Sequence, residues 1–151
     1  KIIKKFGNQI LKDLEDNGCQ IIGDNKIRKS YNKKIKKASI KDWSKEYLAS
    51  TVSVKSVKNI DEAIQHINKY GTMHTDCIIT QNKKFAKKFL DEVKSSIAMH
   101  NTSTQFADGG EFGFGGEVGI STNSLPPRGP VGLNQLVSYK YQITSKGVIR
   151  K

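Results

Sequence analysis

Hydroxyl and amide side chains gather at Asn101-Thr102-Ser103-Thr104, just before a run of glycines. Groups of this kind hold a carboxylate or a phosphate through hydrogen bonds, and they serve equally as ordinary turn residues. The glycine run reads Asp108-Gly109-Gly110-Glu111-Phe112-Gly113-Phe114-Gly115-Gly116-Glu117-Val118-Gly119. It is not a dinucleotide fingerprint, because Gly113 and Gly115 fit but the third glycine position falls on Val118, and no Gly-Lys-Ser/Thr follows to make a phosphate-binding loop. Successive glycines let a backbone approach a ligand closely or let a loop thread between domains, and composition leaves both open. His66, His74 and His100 lack the spacing of metal ligands; each is expected at the surface or in packing, and no metal is expected. Cys19 and Cys77 are too few and too far apart for a disulfide framework or a CxxC site. Two reduced thiols in a cytoplasmic protein are the expectation.

The charge balance raises the question of nucleic acid: 26 Lys+Arg stand against 14 Asp+Glu, a formal net charge of +12. The densest basic stretch runs from Lys26 to Lys37, with Tyr31 its one aromatic and no RNA- or DNA-binding signature beside it. Nearly all the charge is lysine, whereas arginine is the better residue for bidentate phosphate or base contacts. A solvated lysine face is expected, with no nucleic acid partner. No apolar run approaches the roughly 20 residues of a membrane span, so no membrane partner is expected either. Position 1 is Lys, and a fragment of a longer protein is the expectation.

The elements that must position these residues read as follows. Ile2, Ile3, Phe6, Ile10 and Leu14 recur at helical spacing up to Asn17-Gly18, where glycine closes a helix cheaply. Cys19 to Ile22 is a short strand, and residues 24–45 read as a surface loop. Thr51 to Val57 alternates and is β-branched, a strand. Asn59 caps a helix with Asp61 and Glu62 in its first turn and Gly71 at its end. Asp76 to Thr80 is a strand, Asn82 to Lys94 a helix with Phe85, Phe89, Leu90 and Val93 inward, and Ser96 to His100 a strand. That order predicts an α/β fold with a parallel sheet and crossover helices, and it puts Asn101–Thr104 at the carboxyl edge, where such sheets bind ligands. Val137 to Ile143 alternates with Tyr139 and Tyr141 and reads as a strand, with Val148 to Arg150 as its hairpin partner.

One stretch is specific beyond composition. Asn101-Thr102-Ser103-Thr104-Gln105-Phe106, Asp108-Gly109-Gly110-Glu111-Phe112-Gly113, Gly115-Gly116-Glu117-Val118-Gly119-Ile120-Ser121-Thr122 and Arg128-Gly129-Pro130-Val131-Gly132-Leu133 stand in order. In this succession the chain resembles the γ-glutamyl phosphate reductase family of the aldehyde dehydrogenase superfamily. The likeness extends upstream through Asn59–Ile64 and His74-Thr75-Asp76, and downstream through Ser138–Tyr141. Gln105 stands where the family has Arg, and Pro126-Pro127 where it has His-Ala.

The resemblance implies NADPH-dependent reduction of L-glutamate 5-phosphate to glutamate 5-semialdehyde in proline biosynthesis, through a cysteine thiolate and a hydride-donating cofactor. It implies that the nucleophilic cysteine and the nucleotide-binding domain precede Lys1, so that neither Cys19 nor Cys77 is the nucleophile and the 151 residues alone are inactive. Glu46 resembles the superfamily glutamate that holds the nicotinamide ribose. Asn101, Ser103, Thr104, Phe106, Gly109, Gly110 and Arg128 fall in the segment expected to bind substrate, with Arg128 either holding phosphate or bracing the loop. Residues 1–136 are expected to be part of a catalytic domain and residues 137–151 an oligomerisation arm, making the intact protein a homo-oligomer. A non-catalytic truncated relative, and the reductase end of a bifunctional kinase/reductase, are the alternatives.

Overall fold

The computed structural model describes residues 2–31 and 34–150. Lys33 of the basic run and the side chain of Ile2 lie outside the described residues. Helix α1 (Ile2–Asp16) ends where Gly18 takes φ 76°, as the Asn17-Gly18 stop predicts. Its buried contact is Leu11, whereas Ile3, Phe6 and Ile10 are about half exposed.

Strand β1 (Gln20–Gly23) follows. The expected loop over 24–45 is corrected by the structure: it holds helix α2 (Asn25–Ser30), strand β2 (Lys36–Lys37) and a 3-10 turn at Ile40–Ser44. Asp24 caps α2, its Oδ1 accepting from the amides of Lys26 and Ile27. Ile27 in α2, Tyr31 at its end and Ile35 before β2 stand four residues apart, and all three are buried. Seven cations between Lys26 and Lys37 hide that spacing in composition. Gly23 is required here, since a Cβ would lie 2.9 Å from Ile27 Cγ2 and push α2 off the strand.

Strand β3 (Thr51–Val54) pairs parallel with β1, Gln20 opposite Thr51 through Gly23 opposite Val54, and β2 pairs parallel on the other edge of β1. Helix α3 (Ile60–Tyr70) has the predicted cap, Asn59 accepting from the Glu62 amide, and ends at Gly71. Strand β4 (Thr75–Ile78), helix α4 (Lys83–Glu92) and strand β5 (Ile97–His100) complete the alternation, with β4 and β5 parallel. The parallel α/β reading therefore holds, with one refinement. Hydrogen bonding divides the strands into two sheets, β2-β1-β3 and β4-β5, instead of running unbroken from β3 to β5. In α4 the inward residues are Ala86 and Phe89, with Val93 following at the cap, while Phe85 and Leu90 are partly exposed.

Two apolar clusters result. Leu11, Ile21, Ile27, Tyr31 and Ile35 pack on the first sheet, and Ile64, Phe89 and Val93 on the second. Beyond β5 the glycine-rich segment contributes an unforeseen antiparallel pair, β6 (Gly119–Ser121) with β7 (Gly129–Val131). The expected strand at Val137–Ile143 and its hairpin partner at Val148–Arg150 do not form among the described residues. Alternation alone supplies no ladder partner, and Tyr139 and Tyr141 are each 83% exposed. No helix among the described residues is long and apolar enough to cross a membrane.

Candidate functional site

The parallel strands β4 and β5 set the geometry, because both deliver their carboxyl ends to one edge. Asn101 closes that edge. It takes a left-handed φ of 53°, which asparagine tolerates better than most residues. Its Oδ1 accepts from the Thr80 amide at 2.8 Å and its Nδ2 donates to the Thr80 carbonyl at 2.9 Å. His100 reaches the same carbonyl through Nε2 at 2.8 Å; a carbonyl only accepts, so Nε2 carries the proton. Both polar atoms of Asn101 are thus spent on the backbone, and this residue positions the turn that follows.

That turn is the 3-10 helix Thr104–Phe106. Ser103 caps it, Oγ accepting from the Gln105 amide at 3.2 Å. Thr104 and Phe106 are exposed. Beneath the turn, Cys77 Sγ donates to the Thr102 carbonyl at 3.1 Å, so the thiol serves as packing for the loop.

The glycine amides are already engaged. Gly109 donates to Glu117 Oε2 at 2.9 Å and Gly110 to Asp108 Oδ1 at 2.7 Å. A Cβ on Gly109 would meet Glu117 Oε2 at 3.2 Å, so the close approach that glycine permits here is to this chain's own carboxylate. Arg128 gives Nε to the Asn123 carbonyl and Nη2 to the Lys94 carbonyl, both at 2.6 Å. It braces the segment before β7 against the end of α4.

Glu46 precedes the other sheet, five residues before β3. It is exposed in the segment between the 3-10 turn and β3, and its carboxylate has no partner among the described residues. Asp42 fixes the flanks of that segment. Asp42 Oδ2 accepts from the Ser39 hydroxyl at 2.6 Å and amide at 2.7 Å, and Oδ1 accepts from the Tyr47 hydroxyl at 2.9 Å. These bonds, those of Ser39 first, lower the Asp42 carboxyl to about 2. No hydrogen bond or ion pair among the described residues joins Glu46 to the Asn101–Phe106 turn.

At the opposite end of β4 lies a polar cluster of His74, Thr75, Asp76 and Ser95. Asp76 accepts from the buried Ser95 hydroxyl, and His74 Nδ1 meets Thr75 Oγ1 at 2.8 Å. Burial raises the Asp76 carboxyl, opposed by the Ser95 bond and the neighbouring His74. A carboxyl raised in the folded state disfavours folding once it ionises, so this contribution falls as pH rises from about 4, the ordinary aspartate value, through the folded value. Asp76→Asn is expected to remove that decline, as melting temperatures measured between pH 4 and pH 7 would show. An unchanged pH profile would contradict it. Among the described residues no three His, Cys, Asp or Glu side chains gather as metal ligands.

A family model for the aldehyde dehydrogenase family matches residues 36–140. A γ-glutamyl phosphate reductase of Methylocella silvestris is 51% identical over 141 residues, covering 93% of this chain and 33% of the relative. One of Clostridium beijerinckii is 48% identical over 150 residues, covering 99% of this chain and 36% of the relative. A crystal structure of γ-glutamyl phosphate reductase from Thermotoga maritima superposes with a TM-score of 0.92 at 42% identity, over 99% of this chain and 36% of that one. The chain therefore spans about a third of the length of the relatives it matches.

Proposed function

This chain belongs to the aldehyde dehydrogenase family, and we propose that it is the C-terminal part of an NADPH-dependent reductase that converts L-glutamate 5-phosphate to L-glutamate 5-semialdehyde. The observation that carries the reading is near-half identity to γ-glutamyl phosphate reductases across almost the whole of this chain. The nucleophilic cysteine and most of the cofactor site belong to the remaining two thirds of such an enzyme, in line with a role for Cys77 in packing. These 151 residues by themselves are inactive in this reading.

NADPH supplies the hydride when bound. Glu46 fits it: an exposed carboxylate with no competing partner among the described residues offers both oxygens to the two ribose hydroxyls. The turn from Asn101 to Phe106 receives the amino-acid end of the substrate, Ser103 and Thr104 by hydroxyl contacts and Phe106 by packing. Asn101 and Arg128 hold that surface in place, as Gly109 and Gly110 do through their bonds to Glu117 and Asp108. Residues 1–136 are part of the catalytic domain, and residues 137–151 form an arm whose exposed Tyr139 and Tyr141 pair with a second copy, giving a homo-oligomer in the cytoplasm.

The test is an assay of the intact protein in the reverse direction, in which glutamate 5-semialdehyde, phosphate and NADP should give L-glutamate 5-phosphate and NADPH. No phosphate-dependent turnover would sink the proposal, and faster turnover with NAD would correct the cofactor. Glu46→Gln is expected to raise the KM for NADP about 10-fold, the effect of losing roughly 1.4 kcal/mol of charged hydrogen bonding, and to leave the KM for semialdehyde unchanged. An equal rise in both would remove Glu46 from the cofactor site.

A further inference from the structure

The cations of the Lys26–Lys37 run are not spread evenly over a solvated face. Arg28, Lys34, Lys36 and Lys37 line one cleft of about 710 Å³, between the end of α1, the start of β1 and the segment entering β2. That volume lies within the range of small-molecule sites. A smaller adjoining cleft of about 230 Å³ shares Arg28 and Lys34 and adds Lys29. The floor is apolar, since Ile21 and Ile35 are 7% and 6% exposed. The one acid on the lining, Glu15, accepts a hydrogen bond from the Tyr31 hydroxyl at 2.9 Å.

Two features separate this cleft from lysine-rich surface elsewhere. Arg28 is oriented: its Nε donates to the Ile35 carbonyl at 3.0 Å, leaving the rest of the guanidinium fork without a partner among the described residues. A fixed fork suits a phosphate, which accepts two parallel N–H bonds. The lysines here also have no carboxylate at ion-pair distance among the described residues. On α4 the comparison is direct, because Lys87 pairs with Asp91 at 2.8 Å and Lys88 with Asp61 at 2.6 Å.

We propose that this cleft binds a small ligand carrying at least two phosphate groups. Arg28 takes one phosphate bidentately, Lys34 and Lys36 surround the second, and Lys37 adds charge at the rim. The apolar floor accepts whatever uncharged part the ligand carries. The site is separate from Glu46 and from the Asn101–Phe106 turn, and it does not depend on the reaction proposed above.

The test is calorimetric titration of the intact protein with inorganic pyrophosphate, compared with phosphate, at low and at physiological ionic strength. Pyrophosphate is expected to bind with one-to-one stoichiometry and more tightly than phosphate. The variant Lys34→Ala/Lys36→Ala/Lys37→Ala should weaken it at least about 10-fold, because three charge-assisted contacts are removed. All three side chains are exposed, so folding should survive, as circular dichroism would verify. The control Lys83→Ala/Lys84→Ala/Lys87→Ala removes the same charge from α4 and should leave binding unchanged. Arg28→Lys keeps the charge, loses the fork, and should weaken binding severalfold. Equal weakening by both triple variants would reduce the effect to net charge and overturn the proposal. So would the absence of heat with millimolar pyrophosphate, or an oligonucleotide that pyrophosphate cannot displace, which would assign the cleft to nucleic acid instead.

Discussion

Replacing Asn101 with alanine is expected to cost about 2–3 kcal/mol of stability and to lower kcat/KM of the intact protein in the proposed reduction roughly 100-fold. The first figure has two parts. Two hydrogen bonds to Thr80 are lost, at about 1 kcal/mol each in a partly solvated setting. Alanine must also hold a φ of 53°, which costs a non-glycine residue about 1 kcal/mol more than asparagine. The second figure follows from position. Asn101 ties the end of β5 to the residue two beyond β4, and a slip of about 1 Å in the Ser103–Phe106 turn is enough for a loss of that order. Asn101→Gly separates the parts, since glycine removes the bonds but not the backbone conformation, and it should recover about 1 kcal/mol relative to alanine while leaving kcat/KM low. Denaturant melting and steady-state kinetics check both. An alanine variant that is destabilised yet fully active would take the turn out of the substrate site.

The second large effect is expected at Asp24→Asn, with a loss of about 2–4 kcal/mol. Asp24 Oδ1 accepts from the Lys26 and Ile27 amides, and Oδ2 from the Ser56 amide at 2.8 Å and hydroxyl at 2.9 Å. One carboxylate thus caps α2 and joins it to the chain leaving β3. An asparagine keeps one acceptor oxygen and turns the other into a donor facing donors, which forfeits two bonds and leaves part-buried amides unpaired. Burial pushes the Asp24 carboxyl up, yet the four donors, the Ile27 amide first, outweigh it and hold the value below the usual 3.8. A lowered folded value means that the stabilisation is complete above about pH 4 and is lost as pH falls through the folded value. The acid limb of the wild-type stability curve should therefore be steeper than that of the variant. Parallel limbs would show that Asp24 contributes nothing through ionisation.

Asp24 also shows why part of the fold was legible and part was not. Helix α3 announces itself locally, because Asn59, Asp61, Glu62 and Gly71 are cap and dipole signals within one segment. Helix α2 carries the same kind of cap, but it is six residues long with Ile27 its one buried residue, and half of the bonds to its capping carboxylate come from Ser56, 32 residues from Asp24. The β6–β7 pair has almost no alternation to read, being two three-residue strands, Gly-Ile-Ser and Gly-Pro-Val. Val137–Ile143 has the opposite character, a clear alternation with no partner strand among the described residues. At the candidate site, residue type was legible and saturation was not. Asn101, Gly109, Gly110 and Arg128 have the chemistry of ligand-binding groups, and only the tertiary structure shows their polar atoms committed to Thr80, Glu117, Asp108 and two carbonyls. The clustering of Arg28 with Lys34, Lys36 and Lys37 was invisible for the same reason, because a basic run does not say which cations share a concavity.

The division of the strands between two hydrogen-bonded sheets, each with its own apolar cluster, bears on how the molecule opens. Ile22, at 2% exposure, anchors the sheet formed by β2, β1 and β3, while Phe89, also at 2%, anchors the helices over β4 and β5. With no ladder between β3 and β4 among the described residues, the protein should open as two cooperative units joined through α3. Amide deuteration would then proceed in two steps. The β4–β5 half has nearby chain partners, and the β1–β3 half closes a longer loop between residues 23 and 51, so their protection should fall at different denaturant concentrations.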